Sequence, residues 1–260
     1  MIWTFNPEFH VNKIVDWIKE YFLNNGPDSK AVIGISGGKD SSIVAALLVR
    51  ALGKERVIGV KMPQGSQSDI DAANQLIEYL DIPSFEINIG SACSALYDAI
   101  DVGYDYDHCV KDNSMVATNT PARIRMATLY AVAALVGGRV VNTCNYSEDY
   151  VGYSTKYGDG AGDFSPLGEY TVREILLIGD YLNLPHELIY KVPSDGMCGK
   201  TDEENLGFSY ATLDAYLLED VKPDYETYKK IETAHRRNIH KLRRMPVFRK
   251  PYGNEDNYSF

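Results

Sequence analysis

Between Gly34 and Ser42 the chain reads Gly-Ile-Ser-Gly-Gly-Lys-Asp-Ser-Ser. Adjacent glycines let a backbone approach a phosphate with no side chain in the way. Their N–H groups, with those of a following helix, point at the negative charge. Ser36, Ser41 and Ser42 add hydroxyl donors, and Lys39 adds a cation. Asp40 would repel bare phosphate, so its presence in such a turn points to a bridging Mg²⁺. A glycine turn that only caps a helix accounts for the glycines and serines but not for Lys-Asp at the mouth. The spacing also differs from G-x-x-x-x-G-K-[ST], the loop that grips a γ-phosphate for transfer.

Such a turn needs a strand before it and a helix after it, and the flanking residues supply both. Ala31–Ile35 is a β-branched run, and an apolar helix is expected over about 41–52. Further strands are expected at Val57–Met62, Ser84–Ile89 and Arg139–Thr143, with a helix from Asp69 to Leu80 between the second and third. Strands alternating with helices indicate an α/β fold with a parallel central sheet. Thr120-Pro121 reads as the N-cap and first residue of a long helix ending at Gly137-Gly138. From Met126 to Val136 that helix is apolar nearly all round, so it should be covered on more than one side, within one subunit or by a dimer. Thr171-Val-Arg-Glu174 and Thr201-Asp-Glu-Glu204 are capping boxes, and Pro223 should start a helix running to the basic cluster His235–Arg244. Residues 145–170, rich in Gly, Asp, Ser and Tyr, read as a functional loop. Of its rings, Tyr146, Tyr150, Tyr153 and Tyr157 suit packing more than ligand stacking.

Composition narrows the function. The 260 residues carry 26 basic and 36 acidic side chains, a net charge of −10, which argues against a protein that coats nucleic acid or an anionic membrane. An apolar fraction of 45% with 24% charged residues is that of an ordinary globular protein. No apolar run reaches transmembrane length and no signal peptide is evident at Met1. Cys93, Cys109, Cys144 and Cys198 show no zinc spacing, so reduced thiols in a cytoplasmic protein are expected.

The S-G-G-x-D-S pattern of Ser36–Ser41 resembles the pyrophosphatase-type ATP-binding (PP-loop) superfamily, which cleaves ATP between its α and β phosphates. Four further motifs follow in order: Asn119-Thr-Pro-Ala-Arg-Ile-Arg-Met126, Thr143-Cys-Asn-Tyr-Ser-Glu148, Gly152–Asp163 and Thr201–Gly207. Together with the loop they resemble the NAD synthetases, ligases that amidate the nicotinate ring of deamido-NAD, and more closely the short members that use free ammonia. The resemblance covers about residues 8–246. It implies a Rossmann-like, three-layer fold of the adenine nucleotide alpha hydrolase-like kind. It also implies one synthetase domain over 1–260 with a polar tail at 251–260, no glutaminase domain, and a homodimer.

The resemblance also implies a site. Gly34, Ile35, Ser36, Gly37, Gly38, Lys39, Asp40 and Ser41 would cradle ATP, with Thr143 and Ser194 as further contacts. Asp40 and Glu148 would hold Mg²⁺, and Arg123, Lys156, Asp163, His240 and Lys241 would bind deamido-NAD. The physical reading agrees for Thr143 and Glu148. If the strand order is 3-2-1-4, both lie beside the switch point where open α/β sheets bind ligands. One departure is that Val172 stands where the family often has a phosphate-binding lysine; Lys39, the only basic residue of the loop, is expected to supply that charge. Two other classes share the loop. A tRNA-thiolating enzyme needs a reactive cysteine, for which Cys144 is the candidate, and a basic surface. A nucleotide sensor without turnover would not need both Asp40 and Glu148.

Overall fold

The computed structural model describes residues 3–65, 70–103, 113–190 and 201–248. Ser194, Asp69, Cys109, Cys198 and the tail at 251–260 lie outside them. The chain opens with α1 (Pro7–Asn25), then β1 (Lys30–Gly34), α2 (Lys39–Leu52), β2 (Val57–Lys61), α3 (Ile70–Leu80) and β3 (Ser84–Glu86). It continues with α4 (Gly90–Gly103), α5 (Ser114–Val136), β4 (Gly138–Val141), α6 (Tyr146–Val151), α7 (Val172–Tyr181) and α8 (His186–Ile189). The short α9 (Asp202–Leu206) precedes α10 (Tyr210–Glu219) and α11 (Tyr225–Asn238).

The four strands pair in parallel in the order β3-β2-β1-β4, the order on which the placing of Thr143 and Glu148 was made conditional. Parallel neighbours need crossovers, and the helices supply them on both faces. Alternate residues of β1 therefore enter different cores. Ala31 and Ile33 pack with α1, α2, α7 and α8, while Val32 packs with Val132 and Ala133 of α5 and with Cys93 and Tyr97 of α4. Three layers result. Beyond the sheet's carboxyl end, Val151, Val172, Phe208, Tyr210, Leu213 and Ile231 form a third cluster that ties α6, α7, α10 and α11 together.

Two sequence expectations need correction. α5 starts at Ser114, capped by the Asn113 side chain, so Pro121 lies inside the helix and Thr120 is not its cap. A proline within a helix loses one backbone donor. Here the ring is buried, and the Asn113 carbonyl oxygen of the side chain accepts from both Met115 and Val116. Within this one chain α5 is covered on one side, so the single-subunit form of the expected cover does not hold and the dimer form is untouched. Val132 and Ala133 are buried, whereas Ala127, Ala131, Ala134 and Leu135 face outward. Smaller shifts concern β3, whose ladder ends at Glu86, and α11, which Asp224 rather than Pro223 introduces. Past Glu86 the chain keeps bonding to its neighbour through Ile87 N–H to Lys61 O and Ile89 N–H to Pro63 O, outside a regular ladder.

Candidate functional site

The turn after β1 is built to leave donors free. Gly37 has a φ of 78°, a left-handed value that favours glycine. Gly38 then serves as the N-cap of α2 with no side-chain hydrogen bond closing the helix. The serines fasten the turn from within: Ser41 and Ser42 donate to Gly38 O at 3.1 and 2.8 Å, and Gly38 N–H donates to Ser36 Oγ at 3.2 Å. Ser41 and Ser42 are thus buried struts of the turn, while the helix end stays open to an anion.

Asp40 and Glu148 reach this mouth from opposite sides of the β1/β4 junction, and one fully buried residue, Asn145, holds both. Its side-chain oxygen accepts from Glu148 N–H at 3.0 Å, and the Glu148 carboxylate answers by accepting from Asn145 N–H at 3.5 Å, forming a capping box. Its amide nitrogen donates to Asp40 Oδ1 at 3.1 Å. The Asn-x-x-Glu pattern of this box was readable, since it has the spacing of the Thr-x-x-Glu boxes of α7 and α9, but it hides inside a Gly- and Tyr-rich loop. Burial, then the neighbouring Asp40 charge, pushes the Glu148 carboxyl up to about 8. Crowded hard carboxylate oxygens of this kind suit Mg²⁺. Among the described residues no three His, Cys, Asp or Glu side chains form a finished metal site. That fits an ion that takes one or two carboxylates and completes its shell with phosphate oxygens and water.

A cavity of about 800 Å³ opens here, lined by the turn from Gly34 to Asp40 and by Thr143, Glu148, Asp202, Arg125 and Lys241. Arg125 was not singled out by the sequence. It donates to Met62 O at 3.2 Å, and burial lowers its pKa. Lys39 is 7% exposed and donates to Asp40 Oδ2 at 2.9 Å, with its ammonium 5.8 Å from the centre of the Tyr210 ring. Burial acts to lower its pKa, but the charges of Asp40, Glu148 and Asp202 prevail and hold it above the usual lysine range. Val172 belongs to the same hydrophobic cluster as Tyr210, whose ring the Lys39 ammonium overlies. Cys144 is buried beside these acids, and burial above all pushes its thiol well up, which makes it a poor nucleophile.

A sequence profile described as NAD synthase matches residues 10–251. The chain belongs to the NAD synthase family. It is 40% identical over 207 residues to an NH(3)-dependent NAD(+) synthetase from Methanococcoides burtonii, covering 78% of this chain and 76% of that one. Among solved structures it is similar to an NMN synthetase from Francisella tularensis, with a TM-score of 0.84 and 31% identity over 96% of this chain and 100% of that one. It is also similar to an NH3-dependent NAD synthetase from Campylobacter jejuni, with a TM-score of 0.72 and 30% identity over 95% of this chain and 100% of that one.

Of the five residues that the NAD synthase resemblance links to the dinucleotide, four are joined in this chain. Arg123 Nε donates to Lys156 O at 3.4 Å, and Lys156 Nζ donates to His240 O at 2.9 Å. The next residue, Lys241, donates to Gly152 O and Ser154 O at 2.7 and 2.9 Å and lines the cavity. Asp163 is engaged elsewhere: its carboxylate accepts from Val140 N–H at 2.7 Å and from the Tyr130 hydroxyl at 3.3 Å, at the open edge of β4. Asp202 lines the cavity beside Lys39, a role that its place in the capping box of α9 did not reveal. Tyr210 carried no sequence signal at all.

Proposed function

We propose that the chain is an ammonia-dependent NAD synthetase that amidates deamido-NAD at the expense of ATP, giving NAD, AMP and pyrophosphate. The observation that carries this reading is Asn145 joining Asp40 and Glu148 at the mouth of an uncapped glycine turn. The nicotinate carboxylate attacks the α-phosphorus, pyrophosphate leaves, and an acyl adenylate forms. Ammonia then adds to the carbonyl carbon and loses a proton, and AMP departs. The turn's N–H groups and hydroxyls hold the departing pyrophosphate, with Thr143 and Ser194 as further ATP contacts. Asp40 and Glu148 would hold Mg²⁺, which would offset charge on the phosphates. Arg123, Lys156, His240 and Lys241 supply cationic and backbone contacts to the dinucleotide, with Asp163 as a further contact. No side chain is required as general base, because free ammonia enters deprotonated.

Residues 1–260 form one synthetase unit on this reading, acting as a homodimer in the cytoplasm. The outward stripe of Ala127, Ala131, Ala134 and Leu135 supports pairing through α5; sedimentation should give twice the mass of 29.1 kDa. Among the described residues, no helix is long and apolar enough to cross a membrane. Incubation with ATP, Mg²⁺, ammonium and deamido-NAD, followed by chromatography, should yield NAD and AMP. Glutamine in an ammonia-free assay should not replace ammonium.

A second reading has one observation in its favour, the TM-score of 0.84 to the Francisella NMN synthetase against 0.72 to the Campylobacter NAD synthetase. On that reading nicotinate mononucleotide is the acceptor. Parallel assays with the two acceptors decide between them by comparing kcat/KM. Thiolation of RNA is not supported, given the −10 charge and the buried, raised Cys144 thiol.

A further inference from the structure

Lys39 sits where a lysine is twice disfavoured. It occupies the first turn of α2, the positive end of a helix, and its side chain is withdrawn from water. Such a placement persists only if negative charge offsets both costs, and here that charge is first the Asp40 carboxylate, bonded directly to the ammonium, with Asp202 beside it. The fit is close. Asp40 Oδ2 takes the ammonium at 2.9 Å while Oδ1 takes Asn145, so both oxygens of Asp40 are satisfied from within the protein. The face of Tyr210 closes the opposite side at 5.8 Å. The Tyr210 hydroxyl is buried with no hydrogen-bond partner among the described residues, beside Asp40, Glu148 and Asp202. A divalent ion that takes Asp40 therefore meets an ammonium already held by that carboxylate, a like charge against the incoming one.

We propose that the Lys39 ammonium is a built-in counter-ion of the Mg²⁺-binding carboxylates, so that the nucleotide-free enzyme resists the metal and the metal enters with ATP. This rests on the assignment of Asp40 and Glu148 as metal ligands made above. The triphosphate brings roughly four negative charges, enough to hold both the ammonium and a metal that the protein alone cannot accommodate together. Lys39 is on this view a positioning residue: it sets when the metal binds.

Mn²⁺ binding followed by electron paramagnetic resonance tests the idea without any turnover. In the absence of nucleotide, Lys39→Gln should bind Mn²⁺ at least roughly tenfold more tightly than the wild type, because a like charge has gone. Lys39→Met, which keeps the stem against Tyr210, should do the same, and Lys39→Arg should stay as weak as the wild type. The melting temperature of Lys39→Gln should rise with Mn²⁺ by more than that of the wild type. With a non-hydrolysable ATP analogue present, the wild type should approach the affinity of Lys39→Gln. Equal Mn²⁺ affinity of wild type, Lys39→Gln and Lys39→Met without nucleotide overturns the proposal alone, provided Asp40→Asn abolishes binding in the ternary complex. If Asp40→Asn leaves ternary Mn²⁺ binding intact, the ligand assignment falls and the proposal falls with it.

Discussion

The N-terminus of α2 has no side-chain cap, whereas α7 begins with a doubly closed one. Thr171 and Glu174 form a capping box there, and the buried Asp214 carboxylate accepts from Arg173 N–H at 2.7 Å and from the Ser147 hydroxyl at 2.5 Å. Ser147 in turn accepts from Val172 N–H at 3.0 Å. Both ends offer the same backbone donors and the same dipole, yet one has spent them on its own chain. The open end belongs to the ligand, and the closed end holds the third hydrophobic cluster in place. Removing a side chain should therefore cost turnover at the first and stability at the second.

The largest effect is expected at the open end. Asp40→Asn and Glu148→Gln should each lower kcat/KM by roughly 10²–10³, the scale of lost transition-state electrostatics. The same Glu148 variant checks the electrostatics of the free enzyme by calorimetry. A carboxyl raised to about 8 in the fold keeps a proton that the unfolded chain has already released. Stability due to this site is therefore present at low pH and lost as pH rises from the ordinary carboxyl range through about 8. Glu148→Gln should flatten that slope in the metal-free protein and melt higher than the wild type near the top of the window.

The closed end gives the opposite signature. Asp214→Ala strands the Ser147 hydroxyl and the Arg173 N–H, and should cost about 3 kcal/mol in denaturant unfolding while kcat at low temperature holds. Asn145→Ser sits between the two cases. It keeps an oxygen to cap α6 but loses the amide that fixes Asp40, so kcat should fall roughly tenfold, about 1.4 kcal/mol, with little change in stability. The smallest effect is Thr171→Ala, about 1 kcal/mol of stability with unaltered kinetics. A kinetic defect in Asp214→Ala or Thr171→Ala would break the division between the two ends.

The sequence made the open end legible because its chemistry is local: six consecutive residues from Ser36 to Ser41 carry the pattern. The parallel sheet was also legible, since β-branched runs separated by helical stretches read as βαβ units. What escaped was held by distant partners. α1 was not read, although Asn6 caps it and its face of Val11, Ile14, Val15, Ile18 and Phe22 is buried in the core it shares with α2 and α7. Pro121 was taken as a helix start because proline is favoured there, yet seven residues of helix precede it. Asp214 closes α7 from 41 residues away, and no local pattern announces it. Tyr210 shows its role only by lying under Lys39.

Gly152 ends α6 with a φ of 66°, and a Cβ there would lie 2.1 Å from that of Asn238. This close approach lets α11 bolt onto the segment that carries Glu148. Asn238 donates to Val151 O, Lys241 to Gly152 O, and His235 stacks on Tyr150 with ring centres 4.1 Å apart. These fastenings span 85 to 89 residues of sequence. During translation, which delivers roughly 5–20 residues each second, the phosphate turn and sheet emerge well before α11 does. On the proposed function, a nascent chain therefore completes the turn assigned to ATP seconds before the wall assigned to the second substrate. A ribosome stalled between residues 190 and 225 would hold a polypeptide whose Val151 and Val172 still lack Ile231, an uncovered apolar face for chaperones to shield.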